Sequence, residues 1–423
     1  MARPPDREQT GISANNNRIT ILGRFGIGDL HRLLAAIHER IVTRGYSDLV
    51  LDFSDCTATF AGPMLAVCAQ IKKLRSEGID SSLNLPSNET LQRLFRNTNW
   101  AHLIDPANYE PSRFRGFTQV PVTHYMSAAD QNKSVNKIMD ALLSSLTDLT
   151  RGDLAAIEWS VNEITDNVLN HSESATGGLV QVTTFAKQKR RVEYAVCDSG
   201  IGIPESLRRA HPEITSDTDA LDKAIREGFT RDKAVGQGNG LFGSYEICRI
   251  SGGYFEVHSG YAHLTQNDAT GLHIRQEQVP YAGTLIVACI DYSKPDVLES
   301  ALRFGSKAHT PVDYIETTYE SNDGQRIVFL MKREAESFGS RAAGKPVKIK
   351  IGSLASLCPN QKIFIDFSDI PLISSSFADE VLGKLFLEFG PIKFMQRFEL
   401  VNTTDTVRSL IDRAIAQRMA TGM

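Results

Sequence analysis

The sequence predicts an α/β protein in which a central α/β sandwich is flanked by two smaller α/β units that resemble each other. Three observations predict it. The string LVLDFSDC at 49–56 returns in diverged form as IFIDFSDI at 363–370. Between these copies, β-type apolar runs alternate with helical stretches and glycine-rich loops, the pattern of helices layered on a sheet. The chain has 423 residues, 41% of them hydrophobic, enough for several cores and about three domains.

The repeat extends beyond one peptide. LPSNETLQRLF at 85–95 echoes VNTTDTVRSLI at 401–411, and the two offsets, 314 and 316 residues, nearly agree. Each copy reads as strand, short loop, helix, strand and capped helix. Ser87 or Asn88, and Thr403 or Thr404, suit the N-cap, with Glu89 and Asp405 in the first turn where the helix dipole favours an anion. Two matched blocks in register indicate duplication, with units expected at 18–106 and 322–423. Residues 1–17 read as a disordered tail. The prolines Pro106, Pro111 and Pro121 mark 107–127 as a linker, and 293–321 reads as a second one, with a helix around 296–304.

Composition narrows the class. There are 46 basic and 50 acidic residues, a formal charge of -4, so no basic excess points to nucleic acid or an anionic membrane. The six cysteines are scattered without a CxxC pair, and several sit in apolar runs such as VACI. That pattern fits free buried thiols in a reducing compartment, rather than a disulfide framework or a zinc site. No apolar stretch reaches the ~20 residues that span a bilayer, and the N-terminus lacks the apolar run of a secretion signal. The expected location is the cytosol.

The central unit, 128–292, carries four motifs in order. NEITDNVLNHS at 162–172 ends a helical pattern, with Glu163 and Asn167 four residues apart on one helical face. Alone, that face suits any solvated helix. CDSGIGIP at 197–204 follows a strand: Asp198 ends it, and Gly200 and Gly202 permit a tight turn and close backbone approach. A plain Asp/Gly turn reads the same way. VGQGNGLFG at 235–243 precedes a helix, as a phosphate cradle does, but lacks the GK[ST] of a Walker A loop. Gly283 and Thr284 open the last strand.

Taken in series, ExxDN, DxGxG, GxGxG and GT resemble the GHKL ATPases, whose Bergerat-type sandwich occurs in gyrase, heat-shock chaperones, histidine kinases and anti-sigma-factor kinases. The resemblance implies ATP and Mg²⁺ as ligands. It implies that Asn167 holds Mg²⁺ and that Glu163 is the general base. It implies that Asp198 binds the adenine amino group, with Gly200 and Gly202 lining the base pocket and Thr284 supporting Asp198 or a bridging water. Gly236, Gly238 and Gly240 would wrap the phosphates at the end of a mobile lid spanning about 205–240. In that lid, Thr230, Arg231 and Lys233 are placed to reach the γ-phosphate. Asp166 would orient its neighbours, and His171 would cap or pack.

The flanking copies resemble STAS domains, the fold of anti-sigma-factor antagonists. The C-terminal copy, with IDFSDIPLISSSFADEVLGKL, is similar to a STAS-like domain of unknown function found beside GHKL ATPase domains. In antagonists a serine at the start of the helix after this strand is phosphorylated, and Ser376 aligns best among Ser374, Ser375 and Ser376. Three serines before a helix are equally ordinary N-caps. The N-terminal copy has Ala61, Gly62 and Pro63 at the acceptor position, which suits recognition or dimerisation instead. Three functions follow as alternatives. One is an ATPase switch whose nucleotide state controls protein contacts of the STAS-like domains. The second is a protein Ser/Thr kinase acting on Ser376 or a partner. The third is a nucleotide-sensing scaffold. Protein partners and a homo-oligomer are expected, and both bacterial stress signalling and defence would use such an architecture.

Overall fold

The computed structural model describes residues 11–112, 119–146, 149–185, 190–229, 239–293, 302–304, 307–308 and 311–421. The chain forms two compact units, Met1–Lys137 with Ser160–His309, and Ile138–Trp159 with Thr310–Met423.

The first unit opens with a mixed sheet. β1 (Gly11–Asn15) runs antiparallel to β2 (Arg18–Phe25), which is parallel to β3 (Asp48–Asp52) and to β4 (Cys56–Thr59), and β3 is parallel to β5 (Asp80–Asn84). The strand β1 departs from the tail expected over 1–17. Its turn rests on Asn16 at φ 51°, a conformation that asparagine tolerates better than most residues. The helices here are α1 (Leu30–His38), α2 (Ala61–Ser76), α3 (Glu89–Asn97) and α4 (Trp100–Ile104). Asn88 caps α3, its side chain accepting from the Leu91 N–H at 3.0 Å. At the repeat, Asp52 accepts from the Ser54 N–H at 3.1 Å. The Phe53 N–H donates to the Asn84 carbonyl at 2.9 Å, and the Phe53 ring is completely buried against Phe25 and Phe95.

A second sheet follows, antiparallel throughout and ordered β6-β7-β8-β10-β9: β6 (Gln119–Tyr125), β7 (Gly178–Thr184), β8 (Arg191–Asp198), β9 (Tyr254–Asn267) and β10 (Gly271–Asp291). Residues 119–125, read as linker from sequence, are thus an edge strand. Pro121 falls where the register shifts between Val120 and Thr123, as a proline without a ladder donor requires. With this sheet go the first part of α5 (Ala128–Ser145) and the last part of α6 (Arg151–His171), whose remaining residues, from Ile138 to Trp159, belong to the second unit, then α7 (Gly202–Arg208), α8 (Asp217–Ala224) and α9 (Gly240–Ser251), and the short pair β11 (Arg303–Phe304) and β12 (Lys307–Ala308).

The two sheets share a core. Helix α2 is buried from Ala61 through Ile71, because it lies between its own sheet and the second one. A helix apolar all round needs cover on every side. Ala195 and Cys197 of β8 and Val287 of β10 meet it there, and the Cys197 thiol donates to the Leu65 carbonyl at 3.3 Å. A Cβ on Gly62 would stand 2.7 Å from Val287 Cγ2, which is why glycine stands second in this helix. Gln70 donates to the Ala282 carbonyl and Trp100 to the Gln181 side chain, both at 2.8 Å. On the opposite face, Tyr194 of β8 hydrogen-bonds Ser160 of α6 at 2.5 Å. The sheet is covered on both sides, so β7 is buried along its whole length.

The second unit contains a parallel sheet of β13 (Arg326–Leu330), β14 (Lys362–Asp366) and β15 (Phe398–Val401). Its helices are α10 (Tyr314–Thr318), α11 (Met331–Glu334), α12 (Arg341–Leu357), α13 (Ser375–Ala378), α14 (Lys384–Phe389), α15 (Pro391–Arg397) and α16 (Asp405–Thr421). The repeat turn recurs in it. Asp366 accepts from the Ser368 N–H at 2.7 Å, and the Phe367 N–H donates to the Val401 carbonyl at 3.1 Å. Thr404 caps α16 through the Val407 N–H at 3.2 Å. Within the same unit, Lys350 of α12 pairs with Glu334 at 2.6 Å and with Asp140 of α5 at 2.7 Å. Arg151 at the start of α6 pairs with Asp313 and Glu320, each at 2.6 Å. Among the described residues no helix is long and apolar enough to cross a membrane. The helix expected around 296–304 lies almost wholly outside the described residues.

Candidate nucleotide site

Helix α6 buries Val161, Ile164 and Val168, and its polar residues interleave with these. Glu163 and Asn167 are half-buried, whereas Asp166 is exposed and accepts from the Asn170 side chain at 2.6 Å. Burial, with the Asp166 charge as a second cause, raises the Glu163 carboxyl above its ordinary range. Gly240 begins α9, and a Cβ there would collide with the Glu163 carboxylate. The glycine therefore admits the acid to the start of that helix. His171 closes α6, half-buried.

Asp198 ends β8 and is 3% exposed. Its Oδ1 accepts the Gly200 N–H at 2.8 Å, and it also bonds the Thr284 backbone. Burial outweighs these bonds and pushes the carboxyl up to about 7. The turn that follows interlocks with β10. Gly202 (φ +79°) and Gly283 (φ +99°) face each other, so that a Cβ on Gly202 would stand 2.8 Å from the Gly283 carbonyl. Only glycine fits both the dihedrals and the approach.

Sequence reasoning missed Ser259 and Ser172. The Ser259 hydroxyl donates to the Gly283 carbonyl at 2.8 Å, accepts the Ile203 N–H at 2.8 Å and lies 3.2 Å from the Thr284 hydroxyl. The Ser172 carbonyl accepts the Ile201 N–H at 2.8 Å. Both act through register and backbone, which no local motif announces. Thr230, Arg231, Lys233, Gly236 and Gly238 lie outside the described residues. In the second unit Ser374 is the N-cap of α13, accepting the Phe377 N–H at 3.0 Å. Ser376 is the second residue of that helix and half-buried, its hydroxyl 3.0 Å from that of Ser374.

These residues fit an adenine nucleotide with magnesium. A buried carboxylate offers an acceptor to an amine. The Gly202–Gly283 backbone forms a cradle that a Cβ would fill, and the Asn167 amide supplies a hard oxygen of the kind Mg²⁺ takes.

The family models that match the chain agree with this class. Residues 152–292 match the histidine kinase-, DNA gyrase B-, and HSP90-like ATPase family, so the chain carries a GHKL ATPase domain. Residues 344–408 match a STAS-like domain of unknown function, which gives it a C-terminal STAS-like domain as well. No curated protein matches the chain. Among solved structures, full-length ShkA in complex with AMPPNP is similar over 84% of this chain and 68% of that one, at 12% identity and a TM-score of 0.19.

Proposed function

We propose that the protein is an ATP-driven switch, in which nucleotide turnover in the GHKL domain governs contacts made by the STAS-like domains. The observation that carries this reading is the buried Asp198 carboxylate, held by Gly200 beside the interlocked Gly202 and Gly283. Asp198 accepts the adenine amine, and Thr284 supports it through its backbone. Glu163, with its raised affinity for a proton, takes the proton of the attacking group, and desolvation prepares it for that role. Asn167 binds Mg²⁺, which supplies charge neutralisation at the phosphates. By the family resemblance, Thr230, Lys233, Gly236, Gly238 and Gly240 would receive the phosphates.

The N-terminal domain belongs, in this reading, to the same STAS-like class as the C-terminal one. The support is the shared turn: Asp52 and Asp366 each accept the N–H two residues on, and each is followed by a fully buried phenylalanine. In the N-terminal copy the acceptor position is the buried Gly62, so this domain backs the ATPase sheet. The C-terminal copy makes the regulated contacts with a protein partner or a second copy of the chain. Kinase chemistry on Ser376 is the competing reading. The half-buried, hydrogen-bonded state of that hydroxyl favours hydrolysis.

Incubation with Mg²⁺ and γ-labelled ATP tests these alternatives. Free phosphate, lost in Glu163→Gln while binding persists, supports the switch, with a rate loss of about 10²–10⁴-fold. Label on the protein that disappears in Ser376→Ala would establish the kinase. Binding without either product would establish a sensor.

A further inference from the structure

Tyr125, Gly178 and Asp198 are successive cross-strand partners on β6, β7 and β8. Directly paired residues project from the same face of a sheet, so the Tyr125 ring and the Asp198 carboxylate share the face that α6 covers. Between them stands Gly178. A Cβ there would run into the Tyr125 ring and its hydroxyl, so the ring lies across the glycine and reaches toward β8. Tyr125 is fully buried, and its hydroxyl has no hydrogen-bond partner among the described residues. A buried hydroxyl without a partner is costly to keep, and native structures retain few of them.

Asp198 presents the complementary need. It is a buried carboxylate held only by neutral backbone donors, the Gly200 N–H on Oδ1 and the Thr284 backbone. The titratable groups that interact with this pair are Cys197 on β8, Tyr281 on β10 and Asp166 on α6. Among the described residues none of them is a cation. A neutral donor is what remains to stabilise the charge, and a phenol, kept protonated by burial, is one.

We propose that Tyr125 is a positioning residue of the nucleotide site, whose hydroxyl donates through one water to the Asp198 carboxylate when the nucleotide is bound and turns it toward the amine of the base. The inference rests on the reading of this site as an ATP site. It explains two residues that the family motifs leave out. Gly178 keeps the path from ring to carboxylate open. Tyr125 keeps its hydroxyl although no described residue accepts from it.

The test is calorimetric titration of the full chain with a non-hydrolysable ATP analogue and Mg²⁺, from about pH 5.5 to 8.5. It compares the wild type, Tyr125→Phe, Asp198→Asn and the double variant. Removing an orphan hydroxyl leaves the fold intact. Tyr125→Phe should weaken binding about tenfold at neutral pH and move the midpoint of the pH profile upward, because the carboxylate loses its donor. In the Asp198→Asn background the second substitution should cost nothing further. Wild-type affinity and midpoint in Tyr125→Phe would overturn the inference. So would an equal loss in both backgrounds, which would assign the ring a packing role. Failure of the wild type itself to bind the analogue would instead overturn the ATP site and the inference with it.

Discussion

The Asp198 carboxylate accepts the Gly200 N–H at 2.8 Å, yet remains the more basic for being buried, with its proton lost only near pH 7. In the folded, nucleotide-free protein it therefore keeps a proton that the unfolded chain, with an ordinary value of 3.8, has already released. Its contribution to stability is full at low pH and falls as pH rises from about 4 to 7. Asp198→Asn should remove that loss and stabilise the protein without nucleotide at about pH 8 by at most of the order of 4 kcal/mol, read as a higher melting temperature. The same variant should lose nucleotide affinity. Affinity in the wild type should decline as pH drops below about 7, because the carboxylate must be ionised to accept the amine. A variant that binds ATP with an unchanged pH profile would remove Asp198 from the site.

Three histidines meet where α1 packs on the β9–β10 hairpin. His31 Nε2 is 2.9 Å from His258 Nδ1, the His258 and His263 rings stack at 3.8 Å, and His263 Nδ1 lies 3.3 Å from Glu277. Burial keeps His258 and His263 neutral, the latter down to about pH 4, with Arg275 adding repulsion and Glu277 opposing it. Between pH 6.5 and about 4 the unfolded chain takes up protons that the folded state refuses, so stability falls as pH falls. The His263 share is of the order of 3 kcal/mol. His263→Phe should flatten this acid limb in urea titrations across pH, and parallel curves for the two proteins would refute the account.

Lys350 is 5% exposed and bridges Glu334 and Asp140. Lys350→Met leaves the Glu334 carboxylate buried without its cation. The expected cost is about 3–5 kcal/mol, and Glu334→Gln added to it should recover part of that. Urea unfolding followed in the second unit measures both. A loss below about 1 kcal/mol would mean that water already reaches the pair.

Gly62 meets Val287 at the shared core. Gly62→Leu should overpack that contact and cost roughly 1–3 kcal/mol, with Gly62→Ala costing less. Thermal melts of the two variants give the ranking. Equal melting temperatures for wild type and Gly62→Leu would mean that the sheets part easily.

Much of this was legible in the sequence because it is local chemistry. The DFSD strings announce a turn that side-chain hydrogen bonds build, and Asn88 and Thr404 announce helix starts. Asp198, Gly202 and Gly283 declare a turn that only glycine completes. What stayed hidden depends on register between distant segments. Pro121 disguised β6 as a linker. Asn16 turns the chain from β1 into β2, a hairpin inside a stretch whose polar composition reads as a tail. Ser259 and Tyr125 sit in ordinary strands, and only pairing with β10 and β7 gives them neighbours. Nor does the run from Ala61 to Ile71 say that two sheets, rather than one, enclose it.

That enclosure bears on how freely α2 varies. An ordinary surface helix tolerates substitution along one stripe and resists it along the other, with a rhythm of 3.6 residues. Between Ala61 and Ile71 no stripe reaches solvent. Saturation mutagenesis of this stretch should show intolerance without rhythm, each position constrained by one sheet or the other.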